Sequence, residues 1–182
     1  MINTKHFILA TVASAMMLAS SAVAVDNNGA FQVTVGAGHT AGNVMAKAGN
    51  GDTVEVTGNG SMDVGAGTAS ISGTYVMRNA LGGITASGAW HSLQFLSWAP
   101  TEACTGGFTG FVSGTARFQV QLDGIGKAHL AVTCHGCESP QGTDAITLKI
   151  NGGEKFNQSV NNEFPYPGLF GDGRYMNLFF QP

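Results

Sequence analysis

Glycine restricts this chain more than any other residue. All 27 glycines lie beyond residue 28, and each glycine inside a helix costs about 1 kcal/mol relative to alanine, so long helices are not expected. No stretch sustains a helical period. What the sequence carries instead is alternation. Ala116, Phe118, Val120 and Leu122 interleave with Arg117, Gln119, Gln121 and Asp123, the period of a strand with one face in a core and the other in water. Ala128, Leu130, Val132 and Cys134 do the same against Lys127, His129, Ala131 and Thr133, and Asp123-Gly124-Ile125-Gly126 between the two runs reads as a hairpin turn. Ile146, Leu148 and Ile150 continue the pattern, with the turn signal Asn151-Gly152-Gly153 and a short run from Lys155 to Val160 after them. The C-terminal half is therefore expected to be an antiparallel meander.

The N-terminal half carries a weaker form of the signal in Phe31 to Val35, Thr53 to Thr57, Ala69 to Met77 and a long run from Ile84 to Trp98. Gly58 to Gly67 is rich enough in glycine to be read as a mobile loop. In the long run, strict alternation puts Leu93 and Phe95 on one face and Trp90 and Leu96 on the other; its length calls for a bulge or for coverage of both faces. About nine short strands without crossover helices exclude a parallel sheet and leave a single all-β domain, an antiparallel β-sandwich or a closed β-barrel. A chain of 182 residues holds one such core without help from a metal.

Residues 1–24 read as a signal peptide: Lys5 and His6 at the start, an apolar run from Phe7 to Leu18, and Ala22-Val23-Ala24 before the cut. The expected mature domain is 25–182, beginning at Val25, exported to the periplasm or the extracellular space. No later segment approaches the roughly 20 apolar residues of a membrane-spanning helix. Eight Lys+Arg against 11 Asp+Glu give a net charge of -3, with no basic run to neutralise phosphates, so nucleic acid is not an expected partner.

From Ser87 to Phe170 the chain resembles a scattered family of small secreted proteins. The residues that carry the likeness are Ser87-Gly88-Ala89-Trp90, the strand Ala116 to Leu122, Leu130-Ala131-Val132-Thr133-Cys134, Ser139-Pro140-Gln141-Gly142, Ile146-Thr147-Leu148-Lys149-Ile150, Gly152-Gly153, Phe156-Asn157 and Leu169-Phe170. The resemblance covers about half the chain and implies an exported all-β domain, with no chemistry attached. Cys104 and Cys137 lie outside its pattern.

The cysteines form the one chemical constellation. Three in an exported chain allow one disulfide and one leftover thiol. Alternation turns Cys134 toward the apolar face, whereas Cys137 comes after Gly136, past the strand end, so the expected bridge is Cys104 to Cys137, with Cys104 to Cys134 as the second choice. The competing reading takes Cys104, Cys134, His135 and Cys137 as ligands for copper or zinc, since thiolate and imidazole are soft donors. Redox catalysis of the thioredoxin type is disfavoured because the motif comes after a strand rather than opening a helix. His91 has no Ser/Asp partners at a recognisable spacing, and Asp144 reads as a turn acceptor at a strand start. Three functions stay open: a non-catalytic binding, surface-assembly or structural module that meets itself or a cell-surface component, a periplasmic metal-binding protein, and a small-ligand barrel, enzymatic or not, whose interior is lined by Trp90, Phe118 and Leu130.

Overall fold

A computed structural model of the chain describes residues 26, 28–36, 44–104, 110–135, 144–160 and 177–182. Within them lie ten strands: β1 (Ala30–Val35), β2 (Val44–Ala48), β3 (Thr53–Asp63), β4 (Thr68–Arg78), β5 (Ile84–Ala103), β6 (Val112–Leu122), β7 (Gly126–Cys134), β8 (Ala145–Ile150), β9 (Lys155–Val160) and β10 (Leu178–Phe180). No helix occurs among the described residues, and every pairing is antiparallel.

The ladder closes on itself. From β2 to β9 each strand pairs with its successor, and β9 pairs back onto β2 through Met45↔Val160 and Ala46↔Ser159. That cycle is an eight-stranded up-and-down ring, which removes most of the open edges a flat sheet would expose. β3 is long enough to serve two neighbours on one side. Its first residues, Thr53 to Val56, pair with β2, while Gly58 to Asp63 pair with β1. β10 then pairs with β1 and reaches Phe111 just before β6, by the bridge Phe111↔Phe180 and the bond from Gln181 N–H to Gly110 C=O at 2.7 Å.

The alternation read from the sequence sets the inside of the ring. On β6 and β7, Ala116, Phe118, Val120, Ala128, Leu130 and Val132 are buried while their neighbours face outward. Burying a side chain of the size of Phe, Leu or Val contributes roughly 1.5–3 kcal/mol, so these two strands alone supply a large share of the drive to close. Turns fall where the glycines permit them. Gly124 (φ 78) closes the β6–β7 hairpin and Gly152 (φ 73) the β8–β9 hairpin, a left-handed backbone that other residues adopt at a cost.

Two expectations need correction. Gly58 to Gly67 is not a loop: Gly58 and Gly60 lie inside β3, opposite Gly73 and Ile71 of β4, and the chain turns only after Asp63. The reason is packing. The Trp90 indole lies against Gly58, where a Cβ would meet Trp90 Cζ2 at 2.6 Å. The face assignment in β5 also changes. The register with β6 shifts between Ser92 and Gln94, between Phe95 and Ser97, and between Pro100 and Glu102, which leaves Leu93, Leu96 and Thr101 as extra residues. Each bulge reverses the inside–outside parity of the residues beyond it. Trp90 is therefore in the core and Phe95, partly buried, packs against it, while Leu93 and Leu96 both face solvent at 42% and 41% exposure.

Candidate functional site

Among the described residues, the strongest concentration of buried polar groups sits where β7 ends and β8 and β10 begin. Asp144 and Asn177 are buried among apolar neighbours, a position that costs several kcal/mol unless each polar atom finds a partner. They do. Asp144 Oδ1 accepts from the His135 backbone N–H at 2.8 Å and Oδ2 from the Asn177 backbone N–H at 2.7 Å, and the Cys134 thiol also bonds to the carboxylate. The Asn177 amide donates to Thr133 C=O at 2.9 Å and Ala145 C=O at 3.0 Å, and its oxygen accepts from Gly36 N–H at 3.1 Å. One carboxylate and one amide thus tie the ends of β1, β7, β8 and β10 together.

The electrostatics reflect that burial. Desolvation pushes the Asp144 carboxyl up to about 6, against the opposing pull of the His135 and Asn177 backbone donors, the His135 charge and the Cys134 thiol. A raised carboxyl is what an acid catalyst needs, but the hydrogen bonds of this group run to strand ends and to Cys134, which suits a latch.

The residues singled out in the sequence fall in different parts of the barrel. Cys134 is buried, as alternation predicts, and lies outside any disulfide; its thiol does more than fill space because it bonds to Asp144. Cys104 lies at the end of β5, its N–H donating to Phe111 C=O at 2.9 Å, and Gly114 a few residues along β6 pairs with Cys134. Cys104, Cys134 and His135 therefore share one end of the barrel. Cys137, common to the expected disulfide and to the metal reading, lies outside the described residues. Among the described residues no group of three or more His, Cys, Asp or Glu is placed to hold a metal ion.

Trp90, Phe118 and Leu130 all point inside the ring and are at most 1% exposed. Trp90 donates its indole N–H to Thr57 C=O at 2.8 Å, so its polar end is held by β3. Other interior aromatics pack on each other: Trp98 stands 4.6 Å from Phe179 and 5.2 Å from Phe31, centroid to centroid. The C-terminal aromatics that fall in β10 fasten the tail, with Phe179 fully buried and Phe180 against Phe111 at 5.1 Å; those from Phe164 to Tyr175 lie outside the described residues. His91 is an exposed residue of the β5 outer face, opposite Gln121.

Asn177 escapes sequence reading altogether. A single Asn before a three-residue apolar run looks like any loop residue, and only the tertiary fold shows that four strand ends converge on it. Asp144 was legible as an acceptor of backbone hydrogen bonds, but its donors come from residues 9 and 33 positions away rather than from its own turn. Compared with known proteins, no family model matches the chain, and no curated protein or solved structure matches it at a significant level.

Proposed function

We propose that this chain is a non-catalytic, exported β-barrel module that works through its outer surface. The observation that carries the reading is how the interior is used: Trp90, Phe118 and Leu130 are packed to at most 1% exposure, and the buried Asp144 and Asn177 bond to backbone groups that hold strand ends. The signal-peptide pattern at 1–24 and the likeness of Ser87 to Phe170 to secreted proteins support delivery to the periplasm or beyond.

The proposed disulfide joins Cys104 to Cys137. In its favour, Cys134 is buried and outside any disulfide, and β7 ends on the side of the barrel where β5 ends. An oxidising compartment preserves such a bridge, and closing a loop of about 33 residues stabilises the fold by roughly 3–4 kcal/mol.

The test is expression of the full sequence in a bacterium, then fractionation, N-terminal sequencing and metal analysis. A chain beginning at Val25 in the envelope or medium, without metal, is the expected result. A cytoplasmic chain that keeps Met1 contradicts export. One equivalent of copper or zinc that is lost in Cys134→Ala transfers the assignment to a metal-binding protein.

A further inference from the structure

The chain is acidic overall, with a net charge of -3, yet its positive charge is gathered on one side. Of the six described Lys and Arg residues, Lys47, Arg117, Lys127, Lys149 and Lys155 stand on the outer faces of the neighbouring strands β2, β6, β7, β8 and β9. All five are exposed, as is His129 among them. Those five strands contain no Asp or Glu. The sixth cation, Arg78 on β4, is neutralised by Glu55 at 3.4 Å. None of the five takes part in an ion pair among the described residues.

The register arranges these groups in order. Gln94 lies opposite Gln119, Gln119 opposite His129, His129 opposite Lys149, and Lys149 opposite Lys155, a transverse row over five strands. Neighbouring strands are about 4.8 Å apart, comparable with the length of one sugar unit in an extended polysaccharide. A second row pairs Gln121 with Lys127, and Arg117 stands on the other side of the first. The amides can donate to and accept from hydroxyls, while lysine and arginine can only donate and carry charge.

We infer that the outer face of β6-β7-β8-β9-β2 binds a linear anionic polysaccharide, its carboxylates on the cations and its hydroxyls on the interleaved glutamines. The inference deepens the surface-binding reading above and rests on it. Charge complementarity names the sign of the partner, and the amide rows favour a hydroxyl-bearing polymer. A duplex nucleic acid calls instead for an element that enters a groove, and this face is built from the flat sides of strands. Each exposed contact is weak by itself; a repeating polymer makes several together.

The experiment uses the purified, oxidised full-length mature chain and affinity electrophoresis through gels containing unesterified polygalacturonate, neutral dextran or duplex DNA. Retardation by polygalacturonate is expected at low salt, fading as ionic strength passes about 0.15 M, where screening acts within roughly 8 Å. The double variant Lys149→Glu/Lys155→Glu should weaken it at least about tenfold. Ser72→Glu/Ser87→Glu, which adds two carboxylates at exposed positions on β4 and β5 across the ring, should leave it unchanged. Arg117→Glu serves as a second reversal if the double variant fails to fold. Equal retardation by dextran, equal or stronger retardation by DNA, insensitivity to both reversals, or no retardation at low salt would each overturn the assignment. Loss of binding by a chain that is correctly exported removes this face alone and leaves the export reading standing.

Discussion

Asp144 and Asn177 show how much of this fold hangs on single side chains. Removing the Asn177 amide leaves Gly36 N–H and the Thr133 and Ala145 carbonyls without that partner in a buried setting, so Asn177→Ala should cost about 2–4 kcal/mol in a denaturant titration. Asp144 predicts a pH dependence of unusual sign. Because burial raises its folded-state pKa from 3.8 to about 6, the native protein holds the proton more tightly than the unfolded chain. Its contribution is fully present below about pH 4 and lost as pH rises through about 6, on the order of 3 kcal/mol in all. The denaturant midpoint of Asp144→Asn should lack that slope between pH 4 and 6; an identical slope in the variant and the parent would remove Asp144 as its source. Gly73 is the steric counterpart. A Cβ there would run into the Thr57 carbonyl and the Gly58 Cα, backbone atoms of a paired strand that cannot move aside cheaply, and Gly73→Ala should cost more than about 3 kcal/mol or abolish folding.

At the level of elements, β6, β7 and β8 were legible because each has one face in the core and no register fault between them, so a period of two maps directly onto inside and outside. β5 was legible as a strand and as a bulged one, but not in its faces. Bulges are set by what the neighbouring strand presents, and nothing in Leu93-Gln94-Phe95-Leu96 distinguishes the extra residues from the paired ones. β2 was missed since Val44-Met45-Ala46-Lys47-Ala48 is short and rich in alanine, a weak strand former; pairing on both sides with β3 and β9 makes it a strand. The β3 glycines misled for the opposite reason. They read as loop residues, while the missing side chain at Gly58 is what admits Trp90 against the β3–β4 pair. The bulges also predict a direct contrast: Leu93→Ser and Leu96→Ser should each change stability by less than about 0.5 kcal/mol, whereas Phe95→Ser should cost more than about 2 kcal/mol. Thermal denaturation of the three variants settles it, and a large loss from Leu93→Ser would restore the simple alternation.

Closure and charge are properties of the whole molecule. The ring forms because β3 accepts β2 on the edge it also offers to β1, and because β9 returns to β2 across the entire sequence of the barrel. Such long-range pairing carries a large loop-closure cost during folding, which gives physical sense to fasteners such as the Asp144–Asn177 latch and the proposed disulfide. Cys104→Ser should accordingly lower the melting temperature by several degrees and expose Cys137 to disulfide-linked dimerisation, visible on a non-reducing gel. The cationic face emerges only at this scale: its charges are scattered from Lys47 to Lys155 in the sequence and meet once the strands are laid side by side.

We propose a barrel that is filled by its own side chains and acts on its outside. Native mass spectrometry of the mature, untagged, non-reduced protein tests it most directly. The expected mass is that of residues 25–182 less two hydrogens for one disulfide, with nothing else bound. A co-purified small molecule retained until the barrel unfolds, or a bound copper or zinc ion with all three thiols reduced, would contradict it.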